Sequence, residues 1–208
     1  MNQKTKQKEK SREAIATSAA ALLRERGIKA SSVMDVMKGA GLTVGGFYNH
    51  FDSKEELFVE ALRNAASATW APLLKSAKGA SPRARALGVI RRYLSRKHRD
   101  NRESGCMLPC AAAEVAREGE PYRGALEKEL SGIVSSLANM LGAGVESREK
   151  ALGLIALMYG ALSLSRAVAG TRLSDEFLRA GKNLGERALA GTDHPAYDNV
   201  DEPRSAGA

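Results

Sequence analysis

An all-α fold of about nine helices is what this 208-residue chain predicts, and three observations predict it. Alanine and leucine dominate, only six prolines occur, and no run alternates β-branched with polar residues as a strand would. A chain of this length buries a substantial core, as one large or two small domains.

Taken in order, the first helix is expected over Lys8 to Arg26, burying Ile15, Ala19, Leu22 and Leu23 and ending at Gly27. Ser31 and Ser32 cap a second helix whose apolar positions Val33, Val36, Met37 and Ala40 follow i, i+3, i+4, i+7 spacing. Gly39 and Gly41 supply a tight turn, and Thr43 caps a third helix of about seven residues that turns Phe47 and Phe51 inward. Ser53, with Glu56 three residues on, forms a capping box for a helix through Leu62, Trp70 and Leu74 that fails near Gly79. Ser81-Pro82 opens the next helix, through Leu87, Ile90 and Leu94 to about Arg99. A polar break from Asp100 to Gly105 precedes a short helix from Met107 to Arg117, and Glu120-Pro121 starts another over Tyr122 to Leu141. The most apolar segment is Ser147 to Ala169, and Ser174 to Ala190 is a last capped helix. Residues after Gly191 have little to bury and read as a disordered tail over 192–208.

Two short helices joined by a glycine turn, followed at once by a capped longer helix, are what a helix-turn-helix needs to enter a DNA groove. The residues Gly41-Leu42-Thr43-Val44-Gly45-Gly46-Phe47-Tyr48-Asn49-His50-Phe51, then Ser53-Lys54-Glu55-Glu56-Leu57, resemble the signature of the TetR/AcrR family of transcriptional repressors. The match reaches back to Ser11-Arg12-Glu13-Ala14-Ile15 and Gly27-Ile28, and so covers roughly the first 60 residues. The resemblance implies a three-helix DNA-binding domain over 1–54 with a basic N-terminal arm, and a helical effector-binding and dimerisation domain over 55–191. It also implies that Ser32, Thr43, Val44, Gly45, Gly46, Tyr48, Asn49, His50 and Lys54 face DNA, with Tyr48, His50 and Lys54 on phosphates. Gly45-Gly46 departs from the polar side chains that many relatives carry there. Close backbone approach, methyl contact from Val44 and DNA shape then supply more of the specificity.

Charge points the same way. The formal net charge is +8, and residues 1 to 54 hold ten Lys/Arg against five Asp/Glu. An anionic partner fits this bias, and the motif makes that partner a double-stranded DNA operator. Lys4, Lys6, Lys8 and Lys10 read either as an arm tracking phosphates or as a solvated tail.

A second constellation is Ser104-Gly105-Cys106-Met107-Leu108-Pro109-Cys110, followed by Ala113-Glu114-Val115. It is similar to the Gly-Cys element of a branch of the family that includes regulators of reductases detoxifying electrophiles and quinones. A thiol at a helix N-terminus has a lowered pKa, and Arg102 would push the same way. Cys106 is then an electrophile sensor with Cys110 as its resolving thiol. Alternatively both cysteines simply pack.

The family places its effector pocket between the fourth and eighth helices. Trp70, Leu73, Tyr93, Met107, Tyr122, Met158 and Leu162 are the candidate lining, suited to an apolar or polarizable small molecule. Leu154, Met158, Ala161 and Ser165, with Phe177 and Leu184, mark broad apolar faces on the last two helices and suggest a four-helix homodimer interface. A two-fold dimer sets its recognition helices about one DNA turn apart and favours a palindromic operator.

Other classes find little support. His50, His98 and His194 are scattered with no partner at metal-ligand spacing, and no phosphate loop, HExxH or nucleophile elbow occurs, so no catalysis, metal or cofactor is expected. No uncharged apolar run approaches 18 residues, the N-terminus is too polar for a signal peptide, and two cysteines make no disulfide framework. The expectation is a cytoplasmic protein with reduced thiols and no membrane partner. A repressor released by a small molecule or by thiol modification is the leading reading. A noncovalent-ligand sensor with structural cysteines and a low-specificity DNA binder are the alternatives.

Overall fold

Asn2 accepts a hydrogen bond from the Lys4 N–H and starts helix α1 (Gln3–Arg26) five residues earlier than the apolar pattern suggests. The computed structural model describes residues 2–102 and 105–190. Ser104 and the tail beyond Ala190 therefore lie outside the described residues. Lys4, Lys6, Lys8 and Lys10 sit on the exposed first turns of the continuous helix α1, because lysine and glutamine are good helix formers and nothing breaks the run. Gly27 ends α1 at φ 86°.

Helix α2 (Val33–Gly39) opens with a full capping box: Ser32 accepts from the Asp35 N–H, and Asp35 accepts from the Ser32 N–H. Ser31 does not cap. It is buried and donates to the Gly27 carbonyl at 2.7 Å. The segment expected as a third α-helix is instead a 3-10 helix, Val44–Asn49. Two adjacent glycines weaken helix propagation, and Thr43 makes no side-chain cap, so the tighter turn prevails. Phe47 and Phe51 are buried, as their spacing predicts, and stack at 5.9 Å.

Helix α3 (Lys54–Lys75) is capped by Ser53, whose hydroxyl accepts from the Glu56 N–H, while Glu56 reaches back to the Asp52 N–H at 2.7 Å. Helix α4 (Pro82–Tyr93) stops short of Arg99, because Ser95 caps a separate short helix α5 (Arg96–Asp100). Then come α6 (Leu108–Glu118), α7 (Tyr122–Leu141), α8 (Val145–Ala167) and α9 (Arg172–Ala188), the last capped by Thr171, not Ser174. Nine α-helices, one 3-10 helix and no strand are present among the described residues. One hydrophobic core runs from Ile15 to Leu178, with α3 packed against both α1 and α7. No helix among the described residues is long and apolar enough to cross a membrane.

Candidate functional site

The segment from Thr43 to Asn49 is held from behind. Phe47 and Phe51 sink into the core, and Arg12 of α1 lies over the Phe51 ring at 4.1 Å. Arg12 also donates to the His50 carbonyl, to Glu56 at 2.9 Å and to Glu60 at 2.6 Å, which ties the end of the 3-10 helix to α1 and α3. The sequence reading missed Arg12 as a positioning residue; the acids four apart on α3 were its available signal.

With its aromatic face anchored, the segment turns its other side outward. Val44 is 48% and Tyr48 76% exposed, and Thr43, Gly45 and Asn49 are exposed with them. Met34 of α2, 63% exposed, is a large apolar neighbour that the sequence reading passed over. A Cβ built on Gly45 meets nothing within 4 Å, and one on Gly46 meets only ordinary contacts at 3.9 Å. Neither glycine is demanded by the fold.

His50 is half-buried, and its Nδ1 is buried without a hydrogen-bond partner. Burial, then Lys8 and Arg12, lower its pKa, so a phosphate would meet the neutral ring. Ser32 is exposed but engaged in its capping box. Lys54 lies at the start of α3 with its ammonium 5.5 Å from the Phe58 ring centroid.

The second candidate region is the Gly105–Cys106 turn ahead of α6. Trp70 and Tyr93 stack at 5.2 Å, and both donate toward the Cys106 sulfur. The Cys106 N–H donates to Nε2 of His98 at 2.9 Å, and His98 Nδ1 faces the Tyr93 carbonyl at 2.6 Å, which fixes His98 as the neutral Nδ1–H tautomer. Buried Arg166 of α8 donates to the carbonyls of His98, Arg99 and Cys106 at 2.9, 3.2 and 3.1 Å. A Cβ on Gly105 would fall 2.5 Å from Arg166 Nη2 and 2.6 Å from the Asn101 carbonyl, so this closure needs glycine.

The thiol expectation needs correction. Cys106 is 1% exposed, and burial raises its pKa despite Tyr93, the Leu108 N–H, Arg166 and Trp70, all of which favour the thiolate. Cys110 is half-buried and also raised by burial, with Arg166 and Arg102 opposing. Desolvation outweighs the helix end, and neither thiol is activated in this arrangement.

From this turn α6 runs to the end of α1. Cys110 donates to the Arg24 carbonyl at 3.0 Å, and one turn further Glu114 accepts from the Ile28 N–H at 2.6 Å and the Lys29 N–H at 3.4 Å. Glu114 therefore clamps the end of α1, a role the sequence did not disclose.

The remaining sequence-predicted residues divide clearly. Trp70, Tyr93, Met107, Tyr122, Met158 and Leu162 are all buried core. Leu73 alone of that group lines an open cavity of about 400 Å³ between α3, α4 and α5. Leu154, Met158, Ala161 and Ser165 are buried in the subunit's own core, because α8 is apolar on more than one side and these positions took the inner one. The outer stripe is Gly153, Leu157, Gly160 and Leu164, beside Phe177 and Leu184 of α9. Among the described residues no cluster of three or more His, Cys, Asp or Glu could hold a metal ion.

Comparison with known proteins agrees with this geometry. Residues 15–61 match the family model for bacterial regulatory proteins of the tetR family. The transcriptional repressor KstR2 of Mycobacterium tuberculosis is 51% identical over 45 residues, 22% of each chain, so that match spans about a fifth of the repressor's length. The transcriptional repressor NemR of Escherichia coli K12 is 29% identical over 139 residues, 65% of this chain and 69% of its own. The crystal structure of E. coli NemR in its reduced form superposes with a TM-score of 0.69 at 26% identity, covering 83% of this chain and 95% of that one. A regulator from Chloroflexus aurantiacus shares the fold at a TM-score of 0.74 and 21% identity, over 89% and 96% of the two chains. With its helix-turn-helix, its all-helical second half and these likenesses, the chain carries a domain of the tetR family of bacterial regulatory proteins over residues 15–61, on a fold that it shares with solved regulators of that family.

Proposed function

We propose that the protein is a homodimeric repressor that binds a two-fold symmetric DNA operator through Thr43–His50 and leaves it when an effector disturbs the Cys106–α6 junction. The observation that carries the reading is the pair of glycine-bearing surfaces. Gly45 on the recognition segment, and Gly153 and Gly160 on α8, each have nothing within 4 Å of an added Cβ. Glycine inside a helix costs about 0.5–1 kcal/mol relative to alanine, and nothing within the chain repays it. Partners outside the chain that approach the backbone closely supply a reason at both places: DNA at the first, a second copy's helices at the second.

On α8 the two glycines alternate with Leu157 and with Leu164, 50% exposed, while Leu184 of α9 is 52% exposed beside them. A groove of about 550 Å³ opens between α8 and α9 along Gly153, Leu157, Leu184 and Ala188. A two-fold axis through this face buries the same stripe from both copies. Leu164→Glu is expected to give a folded monomer in sedimentation and to lose operator affinity with the dimer. A variant that remains dimeric on that face, or a monomer that binds DNA as tightly as the native protein, would refute the arrangement.

Release follows from the α6 clamp. An effector that displaces the Gly105–Cys106 turn moves Cys110 and Glu114 and frees the end of α1. Only an effector with different affinity for the two arrangements shifts DNA binding, and a coupling of about 3 kcal/mol weakens it roughly 150-fold. The buried, unactivated thiols favour a noncovalent ligand. The likeness to NemR, whose solved structure is described as a reduced form, favours a second reading in which the thiols are modified. Cys106→Ser separates them: it abolishes release by an electrophile under the second reading and spares release by a bound ligand under the first.

A further inference from the structure

The cavity of about 400 Å³ between α3, α4 and α5 has a lining with a definite chemistry. Pro72 and Leu73 form an apolar side, while Thr69, Ser76, Arg92 and Lys97 bring two cations and two hydroxyls, and no acidic residue among the described residues lines it. Arg92 donates to the Leu73 carbonyl through Nη2 at 3.3 Å, yet its Nε is buried with no hydrogen-bond partner. A buried guanidinium N–H without an acceptor is costly, on the order of 1–3 kcal/mol or more, so the Arg92 guanidinium is not fully satisfied within the chain. The volume lies within the range of small-molecule sites.

We propose that this cavity binds a small organic carboxylate with a short apolar body. The carboxylate pairs with Arg92 and Lys97, and the apolar body lies against Pro72 and Leu73. Arg92 offers the planar fork that matches a carboxylate; Lys97, exposed at the rim, adds a mobile charge. The site is wired to the Cys106 turn through its own lining. Thr69 Oγ1 lies 3.1 Å from the Gly105 carbonyl, and His98, also in the lining, accepts the Cys106 N–H. An occupant that shifts Thr69 or His98 therefore acts on the turn that starts α6. This consequence rests on the repressor reading given above; the binding site does not.

Trp70, the chain's single tryptophan, follows Thr69 and stacks on Tyr93, so its fluorescence reports on the cavity without a label. Full-length protein is titrated with sodium hexanoate and, separately, with hexanamide, at constant ionic strength set by sodium chloride. Hexanoate is expected to give a saturable change, with hexanamide at least tenfold weaker. Arg92→Met is expected to weaken hexanoate at least tenfold, and Lys97→Glu about as much. Circular dichroism checks each variant's fold, and Lys97→Glu carries the test alone if Arg92→Met unfolds. Equal binding of acid and amide, no saturable response to hexanoate, or folded variants with native affinity would overturn the site. The same titration with operator duplex present keeps the two proposals apart. Hexanoate binding without DNA release overturns only the wiring to α6, and absence of any operator binding overturns the repressor reading while the ligand titration stands.

Discussion

Gly27→Ala is expected to destabilise the protein by about 3 kcal/mol. Gly27 sits at φ 86° and ψ −175°, a region that side-chain-bearing residues pay about 1–3 kcal/mol to enter. A methyl there would also lie 2.2 Å from Oε2 and 2.7 Å from Cδ of Glu114. The carboxylate can swing away, but only by abandoning the Ile28 and Lys29 N–H groups, one at 2.6 Å. The two penalties add, because one is local backbone strain and the other is the lost clamp between α6 and α1. Urea unfolding should show a lower midpoint at unchanged slope, and thermal unfolding a Tm lower by roughly 6–12 °C. Adding Glu114→Ala should relieve the clash and leave the backbone strain. A change below about 0.5 kcal/mol in the single variant would mean that the α1 end does not hold this conformation in solution.

Gly45→Leu should have the opposite profile: native stability and operator affinity reduced at least 100-fold. The fold leaves open space at this position, and a side chain removes the backbone freedom of a glycine, so Tm should hold or rise slightly. The loss comes from the interface. Between exposed Val44 and the half-buried Gly46, a four-carbon side chain holds the 3-10 helix away from base edges and phosphates. Gly45→Ala should lose less, in proportion to its single methyl. Retention of full affinity by Gly45→Leu, with an unchanged Tm, would remove this glycine from the contact surface.

What was legible in the sequence was local. Ser32, Ser53 and Ser81-Pro82 mark helix starts because their hydroxyls and ring act within four residues, and the structure places each start there. Phe47 and Phe51 read as core because only one face of that short segment is apolar. Three features were not legible because distant residues decide them. The helix end near Cys106 is visible in sequence, but its burial is set by Trp70, Tyr93 and Arg166, and burial reverses the expected pKa shift. Glu114 meets Ile28 across 86 residues, a separation no spacing rule spans. On α8 the apolar residues occupy more than one side, so periodicity could not say which stripe faces inward. Leu154 and Met158 were therefore assigned outward, where Leu157 and Leu164 stand.

In the proposed repressor two copies read one symmetric DNA site through Thr43–His50. Selection of bound duplexes from a random-sequence pool by the full-length protein tests it most directly. Enrichment of an inverted repeat is expected, with half-sites about one helical turn apart, 10–10.5 base pairs, retained by two protomers and lost with Gly45→Leu. Recovery of unenriched sequences, with binding that falls steeply with salt and survives Gly45→Leu, would contradict it and leave a low-specificity DNA-binding protein.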